Sequence, residues 1–245
     1  MPDQPLAGKA ALITGGARRI GRGIALALAG AGADVAITYL TSQAEASAVA
    51  AEVAALGRRA LTLECNVRAE ASVCAAVSEA VAHFGRLDLL VNNAAVFDSA
   101  ALEDLSVERW DAVFETNVRG PFLMAREALP HLRKSGGRIV NLGSLGGIRP
   151  WASHAHYCSS KAALHMLTEA MAKAFAPEVS VNCVAPGWIN AGAKKEASAA
   201  RFAEKTPMGR NGAVEDVAQA VLFFATGAAF VTGQVLTVDG GLGLV

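Results

Sequence analysis

The sequence is short of several things, and each shortage removes a class of explanation. Among 245 residues there are four cysteines, Cys65, Cys74, Cys158 and Cys183, with no CxxC pair and no histidine at metal-ligand spacing. Free thiols in a reducing compartment are expected, and neither a metal site nor a disulfide framework is. Net charge is absent: 22 Lys plus Arg offset 22 Asp plus Glu. That leaves no broad field to attract nucleic acid or an anionic membrane, and neither partner is expected. No apolar run reaches the ~18 residues of a spanning helix. The first residues, MPDQPLAGKAALITGG, lack a basic segment followed by an apolar stretch, so no secretory signal is visible and a cytoplasmic location is expected. Aromatic residues are few, 6%, and only two are tyrosines. Apolar residues are plentiful, 53% against 18% charged, which argues for a packed core and against disorder. The length suits one α/β domain, 1–245.

Short β-rich apolar runs alternate with longer Ala-rich helical ones. The segments 10–13, 35–39, 60–63, 87–91, 138–142, 180–184 and 235–238 read as strands. Between them, 20–31, 44–56, 70–84, 107–132, 157–176 and 214–224 carry apolar residues at helical spacing, with Pro130 expected to kink or end the fourth. Strand–helix alternation implies a doubly wound parallel sheet of about seven strands, Rossmann-type, with helices on both faces. The segment 187–212, holding four Gly, one Pro and two adjacent Lys, is left over. So long an insertion late in an α/β domain is expected to cover the substrate.

The first strand runs into Thr14-Gly15-Gly16-Ala17-Arg18-Arg19-Ile20-Gly21, and a helix follows. Glycines there let the backbone turn sharply and approach a pyrophosphate at a helix N-terminus. An NAD-type site would add an acid beyond the second strand. Asp34 precedes that strand, and Tyr39-Leu40-Thr41-Ser42 at its far end has no carboxylate. Arg18, Arg19 and Arg22 place three positive charges in five residues nearby, which suits a 2′-phosphate and favours NADP(H). Cofactor contacts are expected from Tyr39, Leu40, Thr41 and Ser42 as well, the hydroxyls adding hydrogen bonds.

Tyr157 and Lys161 lie four apart, so on a helix they share a face. An ammonium beside a phenol stabilises the phenolate and is expected to lower its pKa. Ser144 follows the fifth strand, at the sheet edge where α/β proteins bind ligands, and Asn117 lies inside a helical run.

Together these motifs resemble the short-chain dehydrogenase/reductase family, along the whole chain. The family's turn is TGxxxGxG, and Arg19 here replaces the middle glycine, which resembles the TGxxxR(L/I)G variant of pteridine reductases. The resemblance implies catalytic roles for Asn117, Ser144, Tyr157 and Lys161. Tyr157 is the general acid or base, Ser144 polarises the substrate oxygen, Lys161 binds the nicotinamide ribose, and Asn117 holds a water relayed to Lys161. It also implies cofactor contacts at Gly15, Arg18, Arg19, Ile20 and Gly21, and at Asn66-Val67 beside the adenine. Further contacts are implied at Asn93-Ala94-Ala95, and at Pro186, Gly187 and Ile189 beside the nicotinamide. Asn66 replaces the usual Asp, and Ala191 the usual Thr, with Asn190 as a substitute. A homotetramer is implied as well, in keeping with an apolar tail at 242–245.

The expected activity is NADP-dependent reduction of a carbonyl, a 3-oxoacyl thioester or another ketone, or the reverse oxidation. A pteridine reductase is one alternative, although Ser144 is kept where the parasite enzymes have Asp. A non-catalytic dinucleotide-binding regulator is another, although such proteins usually lose the Tyr or Lys. His154 and His156 are read as polar groups of the loop before the helix. Trp151, Trp188, Phe97 and Leu145 are candidates for a substrate wall or for core. Lys194, Lys195, Arg201 and Lys205 are read as a solvated helix face.

Overall fold

The structure is a computed structural model describing residues 4–192 and 196–245. In chain order come β1 (Ala10–Ile13), α1 (Arg19–Gly30), β2 (Asp34–Tyr39), α2 (Gln43–Ala55), β3 (Ala60–Glu64), α3 (Glu70–Phe84) and β4 (Leu89–Asn92). They are followed by α4 (Val107–Phe114), α5 (Gly120–Ser135), β5 (Arg138–Leu142), α6 (Ala155–Phe175) and β6 (Ser180–Pro186). The last are β7 (Ile189–Asn190), α7 (Glu196–Lys205), β8 (Gly212–Ala213), α8 (Val214–Thr226) and β9 (Val235–Val238).

A seven-stranded parallel sheet has the order β3-β2-β1-β4-β5-β6-β9. The β1, β4 and β6 strands are buried almost throughout, as parallel strands covered on both faces must be. On one face Ile24, Leu28, Val49, Val217, Val221 and Phe224 of α1, α2 and α8 close the core. On the other, Val73, Val77, Met124, Leu132 and Met171 of α3, α5 and α6 do so. The order reverses between β1 and β4, which opens a crevice at the carboxyl edge, where such sheets take their ligands.

Two expectations about helices need correction. The run 107–132 is not one helix: α4 gives way to a π turn at Glu115–Arg119 before α5 begins. Pro121 has no N–H and crowds the preceding turn, so the chain restarts with proline in the first turn of α5. Nor does Pro130 end that helix, which continues to Ser135 and stops at Gly136, φ +59°. Pro130 faces solvent while the fully buried Ala128 and Leu132 hold both sides of it on the core. The segment 187–212 is also more regular than its composition suggests. It contains α7, and its two ends pair as parallel strands, Ile189 opposite Gly212 and Asn190 opposite Ala213.

Candidate active site

The turn after β1 is held from three sides. Gly15 N donates to Thr38 Oγ1 at 3.2 Å and Gly16 N to Thr38 O at 3.0 Å, tying the turn to β2. Asn93, just past β4, donates its amide to both Thr14 O and Gly15 O at 2.9 Å. Asn93 therefore shapes the turn. A Cβ on Gly21 would lie 2.3 Å from Gly15 O, so no other residue fits there. Arg19 has φ +51°, the left-handed conformation a glycine would take without cost. The replacement thus leaves the turn's backbone form in place. The N-terminus of α1 has no side-chain cap and no acid in its first turn. Uncapped amides beside close-packed glycine are a cradle that a pyrophosphate fits.

The expected arginine cluster divides. Arg18 lies 3.6 Å from Glu45 in the first turn of α2, beside Ser42 at the end of the β2 crossover. Arg22 turns to Glu52 on α2, bonding through Nε at 3.1 Å. Arg19 and Arg22 both line a hollow with Asn190, Ala191, Gly192 and Val214. Tyr39 and Thr41 flank Leu40, which is 57% exposed. Asn66 Oδ1 accepts from Arg68 N at 3.0 Å, and Val67 is buried against Gly120. Ala94 packs on Gly15, and Ala95 is exposed. Ile20 and Ile189 pack on the α1 side of the core. Pro186 ends β6, and Gly187 sits so close to Asp239 that a Cβ would be 2.7 Å from its side chain. Lys194 and Lys195 lie outside the described residues.

Ser144, Tyr157 and Lys161 meet at the carboxyl end of β5. Ser144 Oγ accepts from Gly146 N at 3.1 Å, which fixes the hydroxyl at the start of a short 3-10 turn. Lys161 Nζ, 3% exposed as a residue, donates to Leu142 O at 2.6 Å and stands 5.8 Å from the Tyr157 ring centre. Burial pushes the Tyr157 phenol above its ordinary value, and the nearby Ser144 hydroxyl offsets part of the rise. The expected lowering of the phenol by Lys161 is not what this arrangement gives. The ammonium is engaged by the Leu142 carbonyl, and desolvation is the largest influence on the phenol. Burial also brings Lys161 itself down to about 8.

Asn117 is fully buried in the π turn. Its Oδ1 accepts from Val96 N at 2.8 Å, and its Nδ2 donates to Val96 O and to Ser160 Oγ, both at 3.0 Å. It therefore joins the loop after β4 to α6, the helix that carries Tyr157. A wider turn aims this side chain inward where a regular helix would not.

Several participants carried no local signal. His156 is not a loop residue but fully buried in α6, with Nε2 3.2 Å from Asp98 Oδ2. Two bonds from Arg109 at 2.8 Å fix Asp98 in turn. His165 continues the 157, 161 spacing by four more residues, and that periodicity could have found it. Its Nε2 accepts from Ser144 N at 3.4 Å, and its ring fills the space left by Gly143 and Gly147. Phe97 stands edge-on to Tyr157 at 4.8 Å and stacks on His154, while Trp151 lies parallel to Tyr157 at 6.2 Å. Trp151, Leu145, Trp188, Phe202 and Lys205 line one cavity beside them, so Lys205 is not merely part of a solvated face.

Comparison with known proteins agrees with this geometry. The family model described as enoyl-(acyl carrier protein) reductase matches residues 15–243. A curated relative from Synechocystis sp., named 3-oxoacyl-[acyl-carrier-protein] reductase, is 36% identical over 97% of this chain and 98% of its own. A short-chain dehydrogenase/reductase from Serratia marcescens superposes with TM-score 0.92 at 39% identity, covering 98% of this chain and 99% of that one. A metagenomic blue fluorescent protein solved in complex with NADPH also gives 0.92, at 36% identity over 98% and 99%. The chain belongs to the short-chain dehydrogenase/reductase family.

Proposed function

We propose that the protein is an NADPH-dependent oxidoreductase that reduces a ketone to an alcohol. The observation that carries this reading is the meeting of Ser144, Tyr157 and Lys161 at the carboxyl end of β5, beside the glycine turn after β1. When bound, NADPH supplies the hydride. Ser144 orients the carbonyl oxygen, and the Tyr157 phenol gives it a proton. An ordinary phenol already holds its proton at neutral pH, and burial raises this one further, so Tyr157 has a proton to give. Lys161 binds the nicotinamide ribose, and Asn117 braces α6 and keeps a lone pair of Oδ1 for a water.

NADPH is preferred over NADH because Arg18 stands across from the start of α2 and holds only a long, exposed ion pair with Glu45. Such a pair is worth little and exchanges readily for a 2′-phosphate. The NADPH in the metagenomic neighbour and the reductase name of the Synechocystis relative favour the same chemistry. The domain is single, the segment 187–212 covers the substrate, and the protein works in the cytoplasm as a homotetramer. Exposed Trp110 and Phe122 on α4 and α5, and Phe223 on α8, support that assembly.

Steady-state NADPH oxidation against a panel of ketones tests the reading. Tyr157→Phe is expected to abolish turnover and to leave NADPH binding, followed by its fluorescence, within about twofold, since the phenol hydroxyl acts on the substrate oxygen. Retained turnover, or a tenfold preference for NADH, would overturn it.

A further inference from the structure

Aromatic residues are scarce here, 6% of the chain, yet they concentrate around one phenol. Trp151 lies parallel to Tyr157 with an interplanar angle of 13°, and Phe97 closes the other side edge-on at 86°. Across the adjoining cavity, of about 480 Å³, Trp188 stacks on Phe202 at 4.2 Å and 15°. Stacked pairs of rings present stiff, flat, apolar walls. Such walls gain most from another ring, which meets them in an offset or edge-on arrangement. The volume suits a small molecule bearing one or two rings.

The charged groups of the cavity point the same way. Arg149 and Lys205 line it, and among the described residues no acidic side chain does. Both are exposed, and among the described residues neither takes part in an ion pair. Arg149 is tethered, its Nε donating to Gly243 O at 2.9 Å. Its remaining guanidinium N–H groups are therefore presented from a fixed point, the arrangement in which arginine recognises a carboxylate.

We propose that this cavity selects a ketone borne on a planar ring that also carries a carboxylate, with the ring against Trp151 and Trp188 and the carboxylate at Arg149 and Lys205. The inference rests on the reductase reading for its chemistry but not for its binding step, and the two are tested separately. Trp110, on α4 and outside the cavity, is changed to Phe, so that the wall residues Trp151 and Trp188 are the only tryptophans left. The probe is 4-acetylbenzoate, with its methyl ester as the neutral control. Tryptophan quenching is expected to show the acid binding about three- to fivefold more tightly than the ester, the size of one partly exposed ion pair. Arg149→Gln is expected to remove that difference and leave ester binding unchanged. With NADPH present, kcat/KM for the two probes is expected to follow the same order, with the difference in KM.

Equal binding of acid and ester, an Arg149→Gln effect shared by both, or a preference for an aliphatic 3-oxoacyl thioester over both would overturn the proposal. Selective binding of the acid with no NADPH oxidation on any ketone would leave the proposal standing and remove the reductase reading. Turnover of aliphatic ketones alone would do the reverse.

Discussion

Arg19 occupies a left-handed position at φ +51°. Holding a non-glycine residue there costs on the order of 1 kcal/mol, a strain that surrounding contacts must absorb. The contacts are local, since Asn93 and Thr38 fasten the same turn from β4 and β2. His165 has a comparable role at the catalytic edge. Burial, and then the Lys161 charge, hold its imidazole down at about 4 against an ordinary 6.5. The unfolded chain therefore binds the proton more readily. Stability contributed by the neutral ring is full above about 6.5 and is lost as pH falls through about 4. His165→Leu leaves the buried Ser144 N–H without its acceptor and is expected to cost about 1–3 kcal/mol at neutral pH. It also flattens the dependence of stability on pH between about 4 and 6.5, which thermal melts across that interval would measure. An unchanged acid dependence in the variant would refute the role of His165. Ser144, Tyr157 and Lys161, the proposed catalytic residues, were readable because two share one helix face and the third follows a strand. His165 was signalled only by its four-residue spacing from Lys161, not by its partners at Gly143 and Ser144, and Asp98 carried no signal because its partners His156 and Arg109 lie elsewhere in sequence.

Among the elements, the sheet was readable almost to the residue. β1 and β5 coincide with their apolar runs because both faces of a central strand demand apolar side chains, and the edge strand β9 coincides as well although it is only partly buried. The helical run 107–132 misled because apolar spacing continues through the π turn, which hydrophobic period alone does not register. Thr116 Oγ1 bonds back to Ala112 O at 2.8 Å within it, and Asn117 is turned inward. Pro130 misled in the other sense, as packing at Ala128 and Leu132 overrides a local preference. It remains a cost, because the ring crowds the carbonyl of Arg126 and supplies no N–H. Pro130→Ala is expected to stabilise the protein by about 1 kcal/mol and to raise Tm by roughly 2–4 °C. A calorimetric Tm that falls would show that the proline is needed where it stands.

At the scale of the whole molecule, zero net charge and exposed rings belong together. Val107 is 69% exposed and Phe122 41% on the α4–α5 side, and Phe223 is 53% exposed on α8, with Phe230 wholly exposed beyond it. Two separate apolar faces on a chain without net repulsion suit an assembly with two kinds of two-fold contact. Light scattering is expected to give about 100 kDa, four chains of 25.1 kDa, and little change from 0.1 to 1 M salt, because apolar contacts are not screened. Changing Trp110 and Phe122 together to Glu is expected to lower the mass, and a wild-type monomer would rule the tetramer out. The short pair β7–β8 matters at this scale too. It is a ladder separate from the seven-stranded sheet and brings residues 190 and 213 side by side, so the chain between them starts and ends at one point. Loop closure is then nearly independent of what lies between, and each doubling of its length costs only about 0.6 kcal/mol. The sheet is a chassis and the segment carrying Phe202 and Lys205 an exchangeable part; with that segment over the substrate, as proposed, its sequence can be rewritten without touching the register of β6 and β9.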